Sequence, residues 1–347
     1  MSLGQIGADP RVRELFQSRA SAGTELGRVS FASHEQYRIL MESAECEAAP
    51  AGNLRWTEAL PAVGDWVVAR RADAALALIE DVLPRLKQFS RRAAGKAGTE
   101  QVLAANIDVA MVVCGLDGDF NLRRIERYLV LTRESGAEPV IVLNKADLCA
   151  CTGERVEAVE RIAAGARVVV LRALESVEAV AQLVQGRTIA LFGSSGAGKS
   201  TIANGLLGFE RQATAEVRIG DSRGRHTTTN RMLLALPGGG AIIDTPGMRE
   251  LQLWAGADAL DGAFDEIAEF ARRCRFADCT HASEPGCAVR EGVESGAIER
   301  ERWESYSKLQ RELRHHAIEQ DARARIAEKK RWKALYKALR THPKYRQ

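Results

Sequence analysis

Apolar residues recur along this chain in two different patterns, and the change between them divides the chain into blocks. Between residues 25 and 95, short apolar runs alternate with turn-forming residues, which is typical of strands. The clearest predicted strands are 27–31, 37–40, 66–69 and 76–79. Several short strands in so few residues indicate a small β-barrel, of which the oligonucleotide-binding (OB) fold is one kind.

The second block, residues 96–253, alternates apolar strands with amphipathic helices such as 122–133. Its predicted strands are 109–113, 140–143, 168–171, 188–192 and 241–243. This alternation predicts a mostly parallel sheet with helices on both faces, in which ligands bind beyond the carboxyl ends of the strands. Residues 254–347 are predicted to be helical and residues 1–24 to form an N-terminal tail, so the predicted fold is multidomain α/β.

A glycine-rich segment follows the predicted strand 188–192 directly and precedes the helical residues 202–207. It fits G-x-x-x-x-G-K-[ST], and its members are Gly193, Ser194, Ser195, Gly196, Ala197, Gly198, Lys199, Ser200 and Thr201. The glycines let backbone N–H groups face a β-phosphate, and the helix N-terminus adds to the attraction. Lys199 is expected to reach the β- and γ-phosphates and the Ser200 hydroxyl to bind Mg²⁺. The alternative, a chance glycine-rich turn, does not explain the flanking strand and helix.

The tetrad Asn144-Lys145-Ala146-Asp147 follows the predicted strand 140–143 and indicates which base is bound. The Asp147 carboxylate can accept hydrogen bonds from both N–H donors on the Watson–Crick edge of guanine, a pair that adenine does not offer. Lys145 can lay its aliphatic stem along the base. Arg172-Ala173 stands where GTPases usually carry a Ser-Ala loop that supports the base, and the Ala173 amide can still serve. The tetrad alone could be a turn, but together with the other motifs it indicates a guanine nucleotide.

A later strand end, Asp244 followed by Thr245-Pro246-Gly247, is expected to supply further phosphate contacts. Asp244 is placed to hold Mg²⁺ through water, and the Gly247 amide can contact the γ-phosphate. Met248 follows where many GTPases have a glutamine that orients the attacking water, so unaided hydrolysis is expected to be slow. The segment 224–229 occupies the position of switch I, with Thr228 as the candidate Mg²⁺ contact. The alternative for that segment is a polar surface loop.

The order of these motifs differs from that of an ordinary GTPase. Ordinary GTPases carry the phosphate loop first, then the switches and then the base-reading tetrad. Here the tetrad at 144–147 precedes the phosphate loop at 193–201. The chain is therefore circularly permuted, and switch II at 244–247 leads directly into the C-terminal block.

A cluster of cysteine and histidine near the start of the C-terminal block has the spacing C-x4-C-x-H-x5-C, with members Cys274, Cys279, His281 and Cys287. Three thiolates and one imidazole match a closed structural zinc site with no open position for catalysis. The alternative is a set of merely buried cysteines. We interpret the remaining four cysteines as structural or incidental: Cys46, Cys114, Cys149 and Cys151.

Composition narrows the cellular setting. The chain is 46% hydrophobic and 27% charged, as in soluble globular proteins, and it has neither a visible secretion signal nor an apolar run long enough for a bilayer. We therefore expect a cytoplasmic protein with no membrane role, whose seven cysteines are thiols or metal ligands. The net charge of +3 is unevenly spread: residues 300–347 hold 15 Lys/Arg against 6 Asp/Glu, which is +9 and leaves −6 for residues 1–299. This polarisation suggests a polyanionic partner, with a solvated helical face as the alternative.

Four strings spread over the chain resemble the small-ribosomal-subunit-dependent GTPase family of bacteria, which is permuted in the same order. They are Pro61–Val67, Gln101–Asp108, Gly224–Thr229 and Cys274–Val289. The resemblance implies an N-terminal OB-fold barrel at 25–95, a circularly permuted GTPase domain at 96–253 and a C-terminal helical zinc-binding domain at 254–347. It implies GTP/GDP, Mg²⁺ and one structural Zn²⁺ as cofactors.

The resemblance also implies a role in late maturation of the small ribosomal subunit, with GTP hydrolysis stimulated by that subunit. We expect a monomer that binds the subunit and its rRNA through the barrel, a basic connector after it and a basic C-terminal helix. Other assembly factors are further candidate partners. An RNA-binding assembly chaperone whose nucleotide site only tunes affinity remains the alternative function. A nucleotide kinase is disfavoured because no acceptor site is evident.

Overall fold

The first five strands close into a barrel. Their bounds are β1 (Thr24–Ala32), β2 (Tyr37–Met41), β3 (Glu45–Pro50), β4 (Trp66–Arg71) and β5 (Leu76–Val82). Neighbours follow the order β1-β2-β3-β5-β4, and β4 pairs back to β1. The β3–β5 pair is parallel and the other pairs are antiparallel. This is the predicted OB-type barrel, with β3 as a strand that the sequence pattern had not indicated.

Six further strands form the predicted α/β sheet: β8 (Val109–Gly115), β9 (Glu138–Asn144), β10 (Arg167–Val170), β11 (Thr188–Phe192), β12 (Arg231–Ala235) and β13 (Ala241–Asp244). Five of them run parallel in the order β10-β9-β8-β11-β13, and β12 is antiparallel to β13. Separate apolar clusters cover the two faces of the sheet. The mostly parallel sheet predicted from the alternating pattern is therefore confirmed.

One of the four helices on this sheet has sequence-coded caps at both ends. The helices are α3 (Leu122–Ser135), α4 (Thr152–Ile162), α5 (Glu178–Val184) and α6 (Lys199–Leu207). The Asn121 side chain accepts a hydrogen bond from the Arg124 N–H and so caps the start of α3. Gly136 ends the same helix in the left-handed region, at φ +74°.

The barrel and the α/β sheet are parts of one continuous sheet. Strand β12 pairs with β13 on one side and with β1 on the other, through Phe31–Met232 and Ala32–Arg231. A separate hairpin of β6 (Gln88–Arg92) and β7 (Glu100–Ala105) connects the barrel to β8 along the chain. The structure is a computed structural model. The residues that it describes are 2–33, 36–42, 44–55, 60–73, 75–92, 100–208, 231–244, 257–314 and 326.

The buried Arg28 side chain of β1 links the barrel by hydrogen bonds to the N-terminal 3-10 helix and to the segment before β8. The Arg28 side chain is 1% exposed and donates hydrogen bonds to the carbonyl oxygens of Ile6, Gly64 and Asn106. Burial lowers the pKa of Arg28 to about 10. Gly64 has φ +90°, and a Cβ there would collide with the Ala105 carbonyl, so the turn in the string 61–67 requires glycine.

Three helical segments in the first 55 residues and four C-terminal helices belong to the described fold as well, together with a 3-10 helix at Ala146–Leu148. A 3-10 helix (Leu3–Ile6) and α1 (Pro10–Gln17) contribute buried residues to the main core, and α2 (Gly52–Arg55) lies within the barrel sequence. The C-terminal helices are α7 (Ala257–Ala263), α8 (Asp265–Ala271), α9 (Ala288–Glu294) and α10 (residues 300–314). Within the described ranges, no helix is both long and apolar enough to cross a bilayer.

The C-terminal helices are joined to the α/β domain by buried charges. The Glu126 carboxylate of α3 has no exposed surface, and it pairs with Arg302 of α10 at 2.9 Å. Arg302 also pairs with Glu266 of α8. Ser305 donates a further hydrogen bond to Glu126. A buried carboxylate with charged and neutral donors around it holds three helices in one arrangement.

Candidate functional site

The predicted nucleotide motifs meet at one edge of the sheet. The tetrad follows β9 and the phosphate loop follows β11, and these strands flank β8 in a parallel arrangement. Both segments line an open cavity of about 320 Å³. The Ala173 and Leu174 residues after β10 line it as well. The structure thus brings the tetrad, the phosphate loop and the Arg172-Ala173 segment together.

The glycines of the phosphate loop are fixed by close backbone approaches. Gly193 has φ +140°, and a Cβ there would collide with the Val113 carbonyl of β8. Gly198 has φ +98°, and a Cβ there would collide with the Asn144 side-chain amide. The loop is therefore pressed against both neighbouring segments, and only glycine fits at these two positions. Helix α6 then begins at Lys199, whose Nζ lies 2.7 Å from the Gly193 carbonyl oxygen.

Asn144 links three segments of the site. Its side chain is 3% exposed and donates from Nδ2 to the Ala197 carbonyl of the phosphate loop at 3.0 Å. Its Oδ1 accepts a hydrogen bond from the Ala173 N–H, also at 3.0 Å. The Ala173 amide, which the sequence singled out as support for the base, thus supports the site through Asn144.

Two acidic residues at this edge were missed by the sequence reasoning. Asp117 pairs with Lys145 at 2.6 Å, and Asp119 accepts a hydrogen bond from the Ser194 hydroxyl while pairing with Arg124 at 2.6 Å. The hydrogen bond from Lys145 is the main cause that lowers the pKa of Asp117. For Asp119, burial acts to raise the pKa, but the bonds from Ser194 and Arg124 outweigh it and the pKa is lowered.

The signal for these two carboxylates was their position. Both follow the end of β8, and in parallel sheets polar residues just beyond strand ends are the ones that reach ligands. Their effect here is to hold other site residues. Asp117 orients the Lys145 side chain, whose backbone has an uncommon positive φ of 61°, and Asp119 fixes the second residue of the phosphate loop.

Several predicted site residues lie wholly or partly outside the described residues. Asp244 ends β13, and its backbone pairs with Met232, but its side chain is outside the description. Gly247, Met248 and the segment 224–229 with Thr228 lie outside it entirely. Their roles stay predictions.

The predicted metal ligands do converge. The donor atoms of Cys274, Cys279, His281 and Cys287 all lie within 4.8 Å of one another. The Cys274 and Cys287 sulfurs are 3.9 Å apart, and each lies 3.5 Å from His281 Nδ1. Tetrahedral zinc with ordinary bond lengths requires about 3.8 Å between two sulfurs and about 3.5 Å between sulfur and nitrogen. The cluster is therefore compatible with zinc in both donor chemistry and spacing.

The loop between these ligands is held by its own carboxylate. Glu284 accepts hydrogen bonds from Thr280, through its hydroxyl and its N–H, and from the Ala282 and Ser283 N–H groups. These bonds, the Thr280 hydroxyl first, lower the pKa of Glu284 to about 2. The His281 ring packs edge-on against Trp303 of α10, with 5.9 Å between ring centroids. The cluster is thus preformed and attached to α10.

Comparison with known proteins identifies the family. A family model described as RsgA GTPase matches residues 82–254. The small ribosomal subunit biogenesis GTPase RsgA of Opitutus terrae is 47% identical to this chain and the alignment covers 98% of this chain and 97% of that protein. The chain belongs to the RsgA GTPase family. It is therefore a GTP-hydrolysing enzyme with a guanine nucleotide as its ligand, as the tetrad and the resemblance predicted.

Two solved structures have the same architecture as this chain. YjeQ from Thermotoga maritima superposes with a TM-score of 0.64 at 27% identity, covering 84% of this chain and 98% of that chain. YloQ, described as a circularly permuted GTPase, gives a TM-score of 0.62 at 22% identity over 86% of this chain and 98% of its own. The permuted α/β fold is thereby confirmed.

Proposed function

We propose that this RsgA-family GTPase binds the small ribosomal subunit and assists its late maturation, hydrolysing GTP to GDP and phosphate with stimulation by the subunit. The observation that carries the proposal is the cavity where Asn144 joins the base-reading and phosphate-binding loops. The choice of partner is supported by a relative that is named for small-subunit biogenesis and is 47% identical over 98% of this chain. The ribosomal setting also supports a cytoplasmic location.

The base and phosphates are bound by different parts of the cavity. Asp147 accepts from the guanine N1–H and N2–H groups, and Lys145, oriented by Asp117, lays its stem along the base. The N–H groups of residues 193–201 face the β-phosphate, where the start of α6 adds a favourable dipole. Lys199 moves from the loop carbonyls to the β- and γ-phosphate oxygens.

Ser200 and Asp244 fit a magnesium ion. Ser200 lies in the first turn of α6 and lines the cavity, while Asp244 ends β13, the strand next to β11. A serine hydroxyl and an aspartate carboxylate are oxygen donors of the kind that Mg²⁺ takes. The ion would neutralise charge on the β- and γ-phosphates. Thr228 is our candidate for a further contact from the switch I segment.

Hydrolysis depends on the partner because Met248 cannot orient water by hydrogen bonding. Contacts between rRNA and the segment 224–229 supply the missing group. The Gly247 amide contacts the γ-phosphate. Loss of the γ-phosphate on hydrolysis therefore changes switch II, which leads along the chain into the C-terminal helices. We assign residues 25–95 to the OB domain, 96–253 to the GTPase domain and 254–347 to the zinc domain.

A structural zinc ion would complete the C-terminal domain. Its proposed ligands are Cys274, Cys279, His281 and Cys287. Cys279→Ser is expected to abolish stoichiometric zinc, measured by atomic absorption, and to lower the melting temperature of the domain because a closed site contributes folding energy. Full zinc occupancy in that variant would contradict the assignment.

The decisive assay is steady-state GTP hydrolysis by the protein alone and then with purified small subunits, large subunits or whole ribosomes. We expect a large increase with small subunits, absent with large subunits and abolished by Lys199→Ala. No increase with any particle would overturn the proposed partner. If Lys199→Ala protein hydrolyses no GTP and still completes subunit maturation in cells, the assembly-chaperone function is the correct one.

A further inference from the structure

Four cysteines lie outside the candidate zinc cluster, and they fall into two kinds. Cys46 and Cys114 are buried in apolar cores, at 6% and 5% exposure. Cys149 and Cys151 are half-buried and neighbour each other, with their sulfurs 3.8 Å apart. Burial supports the interpretation of Cys46 and Cys114 as structural, whereas the accessibility and proximity of Cys149 and Cys151 also allow a chemical role.

The Cys149/Cys151 pair lies at the end of the base-reading motif. Cys149 ends the 3-10 helix Ala146–Leu148, which contains Asp147, and Cys151 immediately precedes α4. Only the exposed Ala150 separates the two cysteines. A covalent change at Cys149 therefore acts two residues from Asp147, and one at Cys151 acts four residues from it.

The surroundings of Cys149 favour its thiolate. Burial acts to raise the pKa of the thiol, but the Cys151 N–H, the Thr152 hydroxyl, the Cys151 thiol and the Arg155 charge together lower it. The thiolate is the nucleophile in thiol–disulfide exchange, so Cys149 is the attacking sulfur of the pair and Cys151 the resolving one.

We propose that Cys149 and Cys151 form a redox modification site, closing to a reversible disulfide that weakens guanine-nucleotide binding. The oxidant is a low-molecular-weight disulfide, RSSR. The Cys149 thiolate attacks one sulfur, forms a mixed disulfide and releases RS⁻. The Cys151 thiol loses its proton to solvent and its sulfur attacks Cys149 Sγ, which closes the protein disulfide and releases the second RS⁻. The net change is one protein dithiol and one RSSR to one protein disulfide and two RSH.

The direction of the effect follows from which side of the pair can move. A disulfide needs about 2.05 Å between sulfurs, so the pair must close by about 1.8 Å. Helix α4 is anchored through the buried residues Val159 and Ile162, at 0% and 3% exposure. The 3-10 helix has no buried residue, and Leu148 in it is 64% exposed. The 3-10 helix therefore takes up the movement, and Asp147 moves with it.

Bond formation can be tested by mass, independently of any nucleotide. Trypsin cuts after Lys145 and Arg155, so one peptide, residues 146–155, contains both cysteines and no other. The zinc-loaded full-length protein is treated with oxidised glutathione, its free thiols are alkylated and it is digested without reductant. We expect this peptide to lose two hydrogen atoms and to resist alkylation. Cys151→Ser is expected to trap one glutathione on Cys149, whereas Cys149→Ser retains far less.

The functional effect is measured as the Kd of a fluorescent GDP analogue for reduced and oxidised protein. We expect oxidation to raise the Kd by about fivefold or more, a typical coupling between two sites, and dithiothreitol to restore it. The Cys149→Ser/Cys151→Ser double variant should bind like reduced wild type with or without oxidant. A peptide 146–155 that stays reduced, or a disulfide form with unchanged Kd, would overturn the proposal. Neither outcome depends on stimulation by the small subunit, so it leaves the proposed function standing.

Discussion

Asn144 offers the sharpest test of how the nucleotide site is held together. Replacing it with alanine removes two hydrogen bonds of 3.0 Å, one to the Ala197 carbonyl and one from the Ala173 N–H. Both partners are buried, at 0% and 8% exposure. Each lost hydrogen bond contributes about 1 kcal/mol net. In the variant, about 2 kcal/mol of the free energy of nucleotide binding is therefore used to order the site. That corresponds to about a 30-fold higher Kd for GDP.

The assay is a titration with a fluorescent GDP analogue, accompanied by a thermal melt of the free protein to verify folding. Asn144→Asp is the matched variant, because its carboxylate still accepts from Ala173 but can no longer donate to Ala197. It also turns an oxygen toward the Ala197 carbonyl, so it should bind GDP no better than Asn144→Ala. A Kd for Asn144→Ala within about twofold of wild type would refute the view that this side chain organises the loops.

Three other changes test separate features. Asp147→Asn should lose affinity for GTP and gain affinity for xanthosine triphosphate, because the new amide can donate a hydrogen bond to the xanthine C2 carbonyl. Parallel titrations with both nucleotides test this. Arg302→Met removes one buried partner of the Glu126 carboxylate, which keeps Arg123 and Ser305, and should lower the free energy of unfolding in urea by about 2 kcal/mol. Glu126→Gln/Arg302→Met should regain part of that loss; equal losses in both variants would contradict the charge argument. The lowered pKa of Cys149 means that its thiolate persists at lower pH than an ordinary thiol, so alkylation of peptide 146–155 should reach half its maximal rate at lower pH than glutathione does; matching profiles would contradict it.

The sequence was most informative where a residue's role is local. The five parallel strands of the α/β sheet were visible as continuous apolar runs because both faces of the sheet are covered, whereas the antiparallel strand β12 was not predicted. Strand β3 was invisible because its inward residues, Cys46 and Ala48, are small and alternate with glutamates. The phosphate loop and the tetrad could be assigned because their chemistry is carried by contiguous residues.

Contacts between distant residues could not be predicted in this way. Asp119 lies far from Ser194 in sequence and Asp117 far from Lys145, and only the sheet order brings each pair together. The same holds for Asn144, whose motif predicts a base contact but whose side chain bonds two other loops. Cys149 and Cys151 were close in sequence, yet their sulfur separation depends on the turn between a 3-10 helix and α4.

The continuous sheet has a consequence for how the protein assembles during synthesis. Strands β11, β13 and β12 lie between β8 of the base-reading half and β1 of the barrel. These three strands are the last of the sheet to be synthesised. They therefore insert between the base-reading strands and the barrel, which have already been made. The phosphate loop directly follows β11, one of these three strands. A ligand that binds the native state and not the unfolded chain stabilises the native state by mass action. Binding of GTP or GDP therefore stabilises the joined sheet as well as the active site, and the free energy of unfolding should fall when nucleotide is removed.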